Sequence, residues 1–166
     1  MDSPFPADVV ALSTELLQVC RDKGLKLATA ESCTGGLVAA ALTEIAGSSD
    51  VFDRGFVTYS NAAKQVQLGV PADLLASFGA VSEPVARAMA EGAVRNSEAQ
   101  LAVAITGIAG PGGGPTEKPV GLVHFASSRA DRVTVHRREL FGDLGREAVR
   151  MESVRVALRM LREAAG

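Results

Sequence analysis

The chain has 166 residues, 47% of them hydrophobic and 22% charged, proportions that suit one globular domain with its own core and exclude a disordered or fibrous chain. Its 17 basic and 19 acidic residues are mixed along the chain and leave a formal charge of −2, with no tryptophan and one tyrosine. No field draws in a polyanion and a base-stacking surface would have few residues to be built from, so no nucleic-acid partner is expected.

In chain order, Val9, Val10, Ser13, Leu16, Leu17 and Cys20 recur at helical spacing and predict an amphipathic helix stopped near Gly24, with Cys20 in the core. Leu25 to Ala30 reads as a strand, Glu31-Ser32-Cys33-Thr34-Gly35-Gly36 as a turn, and Leu37 to Ile45 as a helix closed by Gly47. Phe56 to Tyr59 predicts a second strand, leading through Ser60-Asn61 into a short helix with Lys64, Val66 and Leu68 that ends at Gly69 and Pro71. A further helix is expected after Ser82, its cap, with Val85, Met89 and Ala93 buried and small residues keeping the packing close.

Leu101 to Ile105 is continuously apolar, as in a strand covered on both faces. The following Thr106 to Pro119 holds five glycines and three prolines in fourteen residues and reads as a loop. Val120 to Ala126 and Arg132 to Leu140 predict an antiparallel hairpin turning around Arg129 to Asp131. The last helix carries Leu144, Ala148, Met151, Val154, Leu158 and Leu161 on one face. This order implies a single domain over 1–166: an α/β fold with helices on both sides of a mixed sheet. Ligands in such folds gather outside the carboxyl ends of the strands, where both small-residue turns, Glu31 to Gly36 and Thr106 to Gly114, fall.

The start, Met1 to Pro6, lacks the basic and apolar segments of a secretory signal, and no apolar stretch reaches a membrane span. Cys20 and Cys33 alone supply no disulfide framework and no zinc spacing, so a reducing cytoplasm without membrane contact is expected.

Glu31 to Gly36 sets hydroxyl, thiol and carboxylate groups on a strand-to-helix turn whose N–H groups and helix dipole face outward, an anion or oxyanion site. The alternative is that Ser32 or Thr34 only caps the helix while the glycines permit close packing. Lys64, desolvated near that turn, could deprotonate Ser32; it could equally be an ordinary exposed lysine, and Tyr59 a wall. Cys33 is the rival nucleophile, but His124 and His136 read as structural histidines within late strands, which leaves Cys33 without a base and ranks Ser32 above it. The glycine loop could wrap a phosphate or sugar with its N–H groups, yet it has neither the P-loop nor the dinucleotide spacing and could be a surface loop. Arg146, at the start of the last helix, sits against the positive end of the dipole, a conflict that an anionic ligand would remove. Arg150, Arg155, Arg159 and Arg162 read as a solvated face among Glu147, Glu152 and Glu163.

Four motifs in order, Ala30 to Gly36, Thr58-Tyr59-Ser60-Asn61 with Lys64, Gly79 to Glu83, and Thr106 to Gly113, closely resemble the CinA C-terminal domain family over about Leu12 to Leu161. The resemblance implies a three-layer α/β/α sandwich around a mixed, mostly parallel sheet, and a homo-oligomer. It also implies the nicotinamide mononucleotide deamidase reaction of pyridine nucleotide salvage, with no cofactor or metal and a small-molecule nucleotide as partner. By motif, Ser32 is the implied nucleophile, Lys64 its base and Tyr59 a proton-sharing partner. Glu31, Thr34, Gly35, Gly36, Asn61, Thr106, Gly107, Gly110 and Gly112 are implied to hold substrate. The family's Gly-Asp-Arg reads Gly142-Asp143-Leu144-Gly145-Arg146 here, and Arg146 is carried over as the phosphate ligand. The resemblance further implies a stand-alone version without the additional N-terminal domain and pyrophosphatase activity of longer relatives. A nucleotide-binding module linked to competence or DNA damage is the alternative.

Overall fold

A computed structural model describes residues 2–114 and 118–166. Its elements are α1 (Ala7–Lys23), β1 (Leu27–Glu31), α2 (Leu37–Thr43), β2 (Phe52–Val57), α3 (Asn61–Leu68), α4 (Ala72–Phe78), α5 (Glu83–Arg95), β3 (Leu101–Gly107), β4 (Leu122–Arg129), β5 (Val135–Leu140) and α6 (Arg146–Ala165). The sheet runs β2-β1-β3-β4-β5. β1 pairs in parallel with β2 and β3, β4 is antiparallel to both its neighbours, and four of the five strands therefore point the same way. This is the mixed, mostly parallel sheet of the expected three-layer sandwich.

The central strands are two-faced, and the side chains explain how the layers sit. Leu27, Leu101, Val103, Ile105, Val123 and Phe125 point into one core, shared with α1, α2 and α6. The alternating positions Ala28, Ala30, Ala102, Ala104 and Ala126 face the other, shared with α3, α4 and α5. A sheet face paved with alanine lets α5 come close, and α5 answers with Ala86, Ala90 and Ala93. Gly92 of the same helix lies against the Leu68 carbonyl at the end of α3, with no room for a β-carbon. Through that contact α5 sets where α3 lies.

β1 feeds α2 and then β2 on one side, whereas β3 feeds β4 on the other. The connections part between the carboxyl ends of β1 and β3, which makes a crevice there. Both small-residue turns open onto it.

Several boundaries differ from the sequence reading. The second strand begins at Phe52 and ends before Thr58 and Tyr59; it is an edge strand in which Arg54 and Gly55 are tolerated at the solvent. Helix α4 was not anticipated, α2 ends at Thr43, and Gly47 instead starts a short 3-10 turn over Ser48–Asp50. Ser82 precedes α5 but does not cap it by hydrogen bond, since its hydroxyl donates to the Gly79 carbonyl at 2.8 Å. β3 runs on through Thr106 and Gly107, β4 through Arg129, and β5 starts at Val135. Leu144 lies ahead of α6 and is exposed, because the helix begins only after Gly145. The loop expected over Thr106 to Pro119 lies partly outside the described residues, at 115–117.

Candidate active site

Ser32 follows the last residue of β1, and its N–H donates to the Ile105 carbonyl of β3 at 2.9 Å, so two central strands hold it from behind. Thr58 continues the β2 ladder by donating its N–H to the Glu31 carbonyl at 2.8 Å. Lys64 enters this corner from the first turns of α3, a helix capped by the Ser60 hydroxyl on the Ala63 N–H. The Lys64 side chain is 1% exposed, and its Nζ lies 3.0 Å from Ser32 Oγ, 2.6 Å from the Thr58 carbonyl and 3.5 Å from the Tyr59 carbonyl. Burial without a carboxylate bonded to it pushes the amine down to about 8. A neutral amine there can give its two hydrogens to the carbonyls and its lone pair to the Ser32 hydroxyl.

The turn after Ser32 is tightly specified. Gly35 and Gly36 sit at φ 59 and φ 106, left-handed conformations that a side chain would strain. The Gly35 N–H closes back on the Ser32 carbonyl at 3.0 Å. Glu31 is fully buried, and its two carboxylate oxygens accept the Val38 and Ala39 N–H groups at 2.9 and 3.1 Å while the Thr34 carbonyl accepts that of Leu37. The first turn of α2 is therefore already served from inside the protein. The expected outward-facing helix terminus gives way to the turn itself, where the Thr34 and Gly36 N–H groups have no backbone acceptor among the described residues. Thr34 is fully buried, and its hydroxyl also has no partner among them.

Cys33 points away into the core, and burial pushes its thiol up to about 11. A thiol so disposed is a packing group. His124 and His136 bond to each other, Nδ1 to Nε2 at 2.9 Å, on strands β4 and β5, with Glu83 3.5 Å from the other nitrogen of His136.

The remaining expected residues separate into two sets. Tyr59 is 62% exposed and its phenol does not reach Lys64; instead Arg146 donates to its hydroxyl at 3.0 Å and to the Gly110 carbonyl at 2.8 Å. Arg146 thus ties the segment after β2 to the glycine loop. Thr106 is buried and gives its hydroxyl to the Ala80 carbonyl at 2.8 Å. Gly107 and Gly110 sit where a β-carbon would come within 2.7 Å of Val123 and 2.6 Å of Val120, so close packing explains both. Gly112 and the exposed Asn61 face open space.

One residue of this corner was missed in the sequence reading. Arg150, set down there as part of a solvated face, reaches over Gly35 and donates Nε to the Cys33 carbonyl at 3.1 Å and a terminal nitrogen to the Thr34 carbonyl at 3.2 Å. Its place one turn after Arg146 on α6 is the only signal the sequence offered. No group of three or more metal-ligating side chains occurs among the described residues, and no helix there is long and apolar enough to cross a membrane.

The family model described as the CinA C-terminal domain matches residues 9–165. The nicotinamide-nucleotide amidohydrolase PncC of Escherichia coli K12 is 51% identical over 156 residues, covering 93% of each chain. A CinA-like protein of Syntrophobacter fumaroxidans is 54% identical over 143 residues, and this chain spans only 33% of its length. The crystal structure of the competence/damage inducible protein CihA from Agrobacterium tumefaciens superposes with a TM-score of 0.96 at 53% identity, covering 99% of both chains. The chain belongs to the CinA C-terminal domain family.

Proposed function

We propose that this member of the CinA C-terminal domain family hydrolyses the carboxamide of nicotinamide mononucleotide to nicotinate mononucleotide and ammonia. The observation that carries the reading is the 3.0 Å contact between a buried amine and a serine hydroxyl on a strand-to-helix turn. The name of the Escherichia coli relative, nicotinamide-nucleotide amidohydrolase, supports the substrate.

In this reading Ser32 Oγ adds to the amide carbonyl as its proton passes to neutral Lys64. The tetrahedral intermediate collapses to a Ser32 ester, and the Lys64 ammonium returns the proton to the departing ammonia. Water then attacks the ester, Lys64 again taking the proton, and Ser32 leaves as the hydroxyl. Arg146 is assigned to the phosphate of the substrate, in exchange for part of its present contacts. The Tyr59 phenol, joined to Arg146 and not to Lys64, is assigned to orienting that arginine, a change from the proton-sharing role its motif implies. Glu31 is assigned to bracing α2, and Thr34 to substrate contact with Gly35 and Gly36. The reading carries with it a cytoplasmic place in pyridine nucleotide salvage and a homo-oligomeric assembly.

The test is ammonia release from nicotinamide mononucleotide by the purified chain. Ser32→Ala is expected to lower it at least a thousandfold, on the order set by loss of a nucleophile. Cys33→Ala is expected to keep it within about threefold. Below pH 8 the rate should climb about tenfold per pH unit and then level, because the neutral amine is the base and burial sets its midpoint at about 8. A wild type stabilised by the nucleotide yet releasing no ammonia would overturn catalysis in favour of a binding module.

A further inference from the structure

The Cys33–Thr34 peptide carries the inference. It is trans, so its carbonyl and its N–H point in opposite directions. The carbonyl is held by Arg150 at 3.1 Å, and the same guanidinium takes the next carbonyl, Thr34, at 3.2 Å. Arg150 comes from α6, in the layer with α1 and α2, whereas Lys64 reaches Ser32 from α3 in the opposite layer. The Thr34 N–H, without a backbone acceptor among the described residues, therefore faces away from α6, two residues beyond the serine. Gly35 lies close under the guanidinium, where a β-carbon would come to 3.3 Å from it.

We propose that Arg150 is a positioning residue of the amide hydrolysis, holding the Cys33–Thr34 peptide so that the Thr34 N–H donates to the oxyanion formed when Ser32 adds to the amide carbonyl. It acts through the peptide and does not touch substrate. A planar fork brings a separate nitrogen to each of two successive carbonyls in fixed geometry, whereas an ammonium shares one nitrogen between them, and a cation on the carbonyl polarises the peptide and strengthens its N–H as a donor. A donor fixed before the charge develops stabilises the transition state more than the bound amide. The inference rests on the Ser32 reading above.

The experiment is steady-state ammonia release from nicotinamide mononucleotide by the full chain carrying Arg150→Ala or Arg150→Lys. Arg150→Ala is expected to lower kcat by about a hundredfold, the scale of losing one oxyanion donor. KM should stay within about twofold and the midpoint of the pH profile should not move, because the Lys64 and Ser32 pair is untouched. Arg150→Lys, with one nitrogen on a shorter stem for two carbonyls, is expected between the two. Methylguanidinium should restore part of kcat to Arg150→Ala and none to Ser32→Ala. The proposal is overturned if Arg150→Ala keeps kcat within about twofold, or if kcat falls together with a raised KM or a displaced pH midpoint, the mark of a turn that has merely collapsed. Should Arg150→Ala not fold, Arg150→Lys decides by the same criteria. If wild type releases no ammonia, or releases it equally as Ser32→Ala, the underlying reading fails instead, and the two failures are told apart by those controls.

Discussion

Lys64 and His124 are both basic side chains taken out of water, 1% and 9% exposed, and in both burial disfavours the charged form. They end in different places. Lys64 is pushed down to about 8 beside a serine hydroxyl, at the carboxyl ends of the parallel strands. His124 is pushed down to about 4 by burial and then by His136, its hydrogen-bond partner, with Arg138 and Lys118 adding repulsion and Glu83 opposing it. A desolvated base is useful when its midpoint lies near the working pH and a group that can lose a proton sits within reach. Lys64 meets both conditions in this geometry. His124 meets neither, since it is neutral throughout the neutral range and faces another imidazole.

The largest difference between the two sites should come from removing each base. Lys64→Met is expected to lower ammonia release by a thousandfold or more, the upper range of general-base effects, whereas His124→Gln should leave it within about threefold. Equal losses would place the two sites on one footing and sink the distinction.

A second test moves Lys64 without altering it. Gly92→Ala sets a β-carbon into the Leu68 carbonyl, and because that atom is backbone the end of α3 must shift. A stability loss of about 3 kcal/mol is expected by urea titration, in the range of overpacked interiors, with a fall in activity beyond the loss of folded protein. An unchanged midpoint would mean that α5 does not set the position of α3.

The third and smallest effect concerns acid. The folded-state midpoint of His124 lies below its ordinary 6.5, so the unfolded chain takes up the proton first as pH falls. Stability is therefore complete above about 6.5 and is lost between 6.5 and 4, by about 2 kcal/mol at pH 4.5. His124→Gln should flatten that limb in urea titrations at pH 7 and pH 4.5. Lys64 follows the same sign at the other end: its lowered midpoint makes stability rise between about 8 and 10.5, where only the unfolded chain holds the proton.

Much of this contrast was legible in the residues. The continuously apolar run Leu101 to Ile105 is local information, and it specifies a strand covered on both faces. Glycines in left-handed conformation at Gly24 and Gly69 end their helices where the pattern stops. The turn at Ser32 and the glycine loop could be located for the same reason. The edge strand at Phe52 could not, because half-exposed strands carry polar residues and a glycine as readily as loops do.

Local pattern thus specifies most of the strands, helices and turns, though not α4 or the start of β2, and places the side chains at the ends of the central strands, since periodicity, capping and glycine conformation act over a few residues. Packing of the layers brings Lys64 to Ser32 across 32 positions, spends Glu31 on the start of α2, and carries Arg150 back 117 positions to the Cys33 carbonyl. Those outcomes depend on which layers close over a group and how much water they remove, and burial and distance are properties of the packed chain that no local pattern encodes.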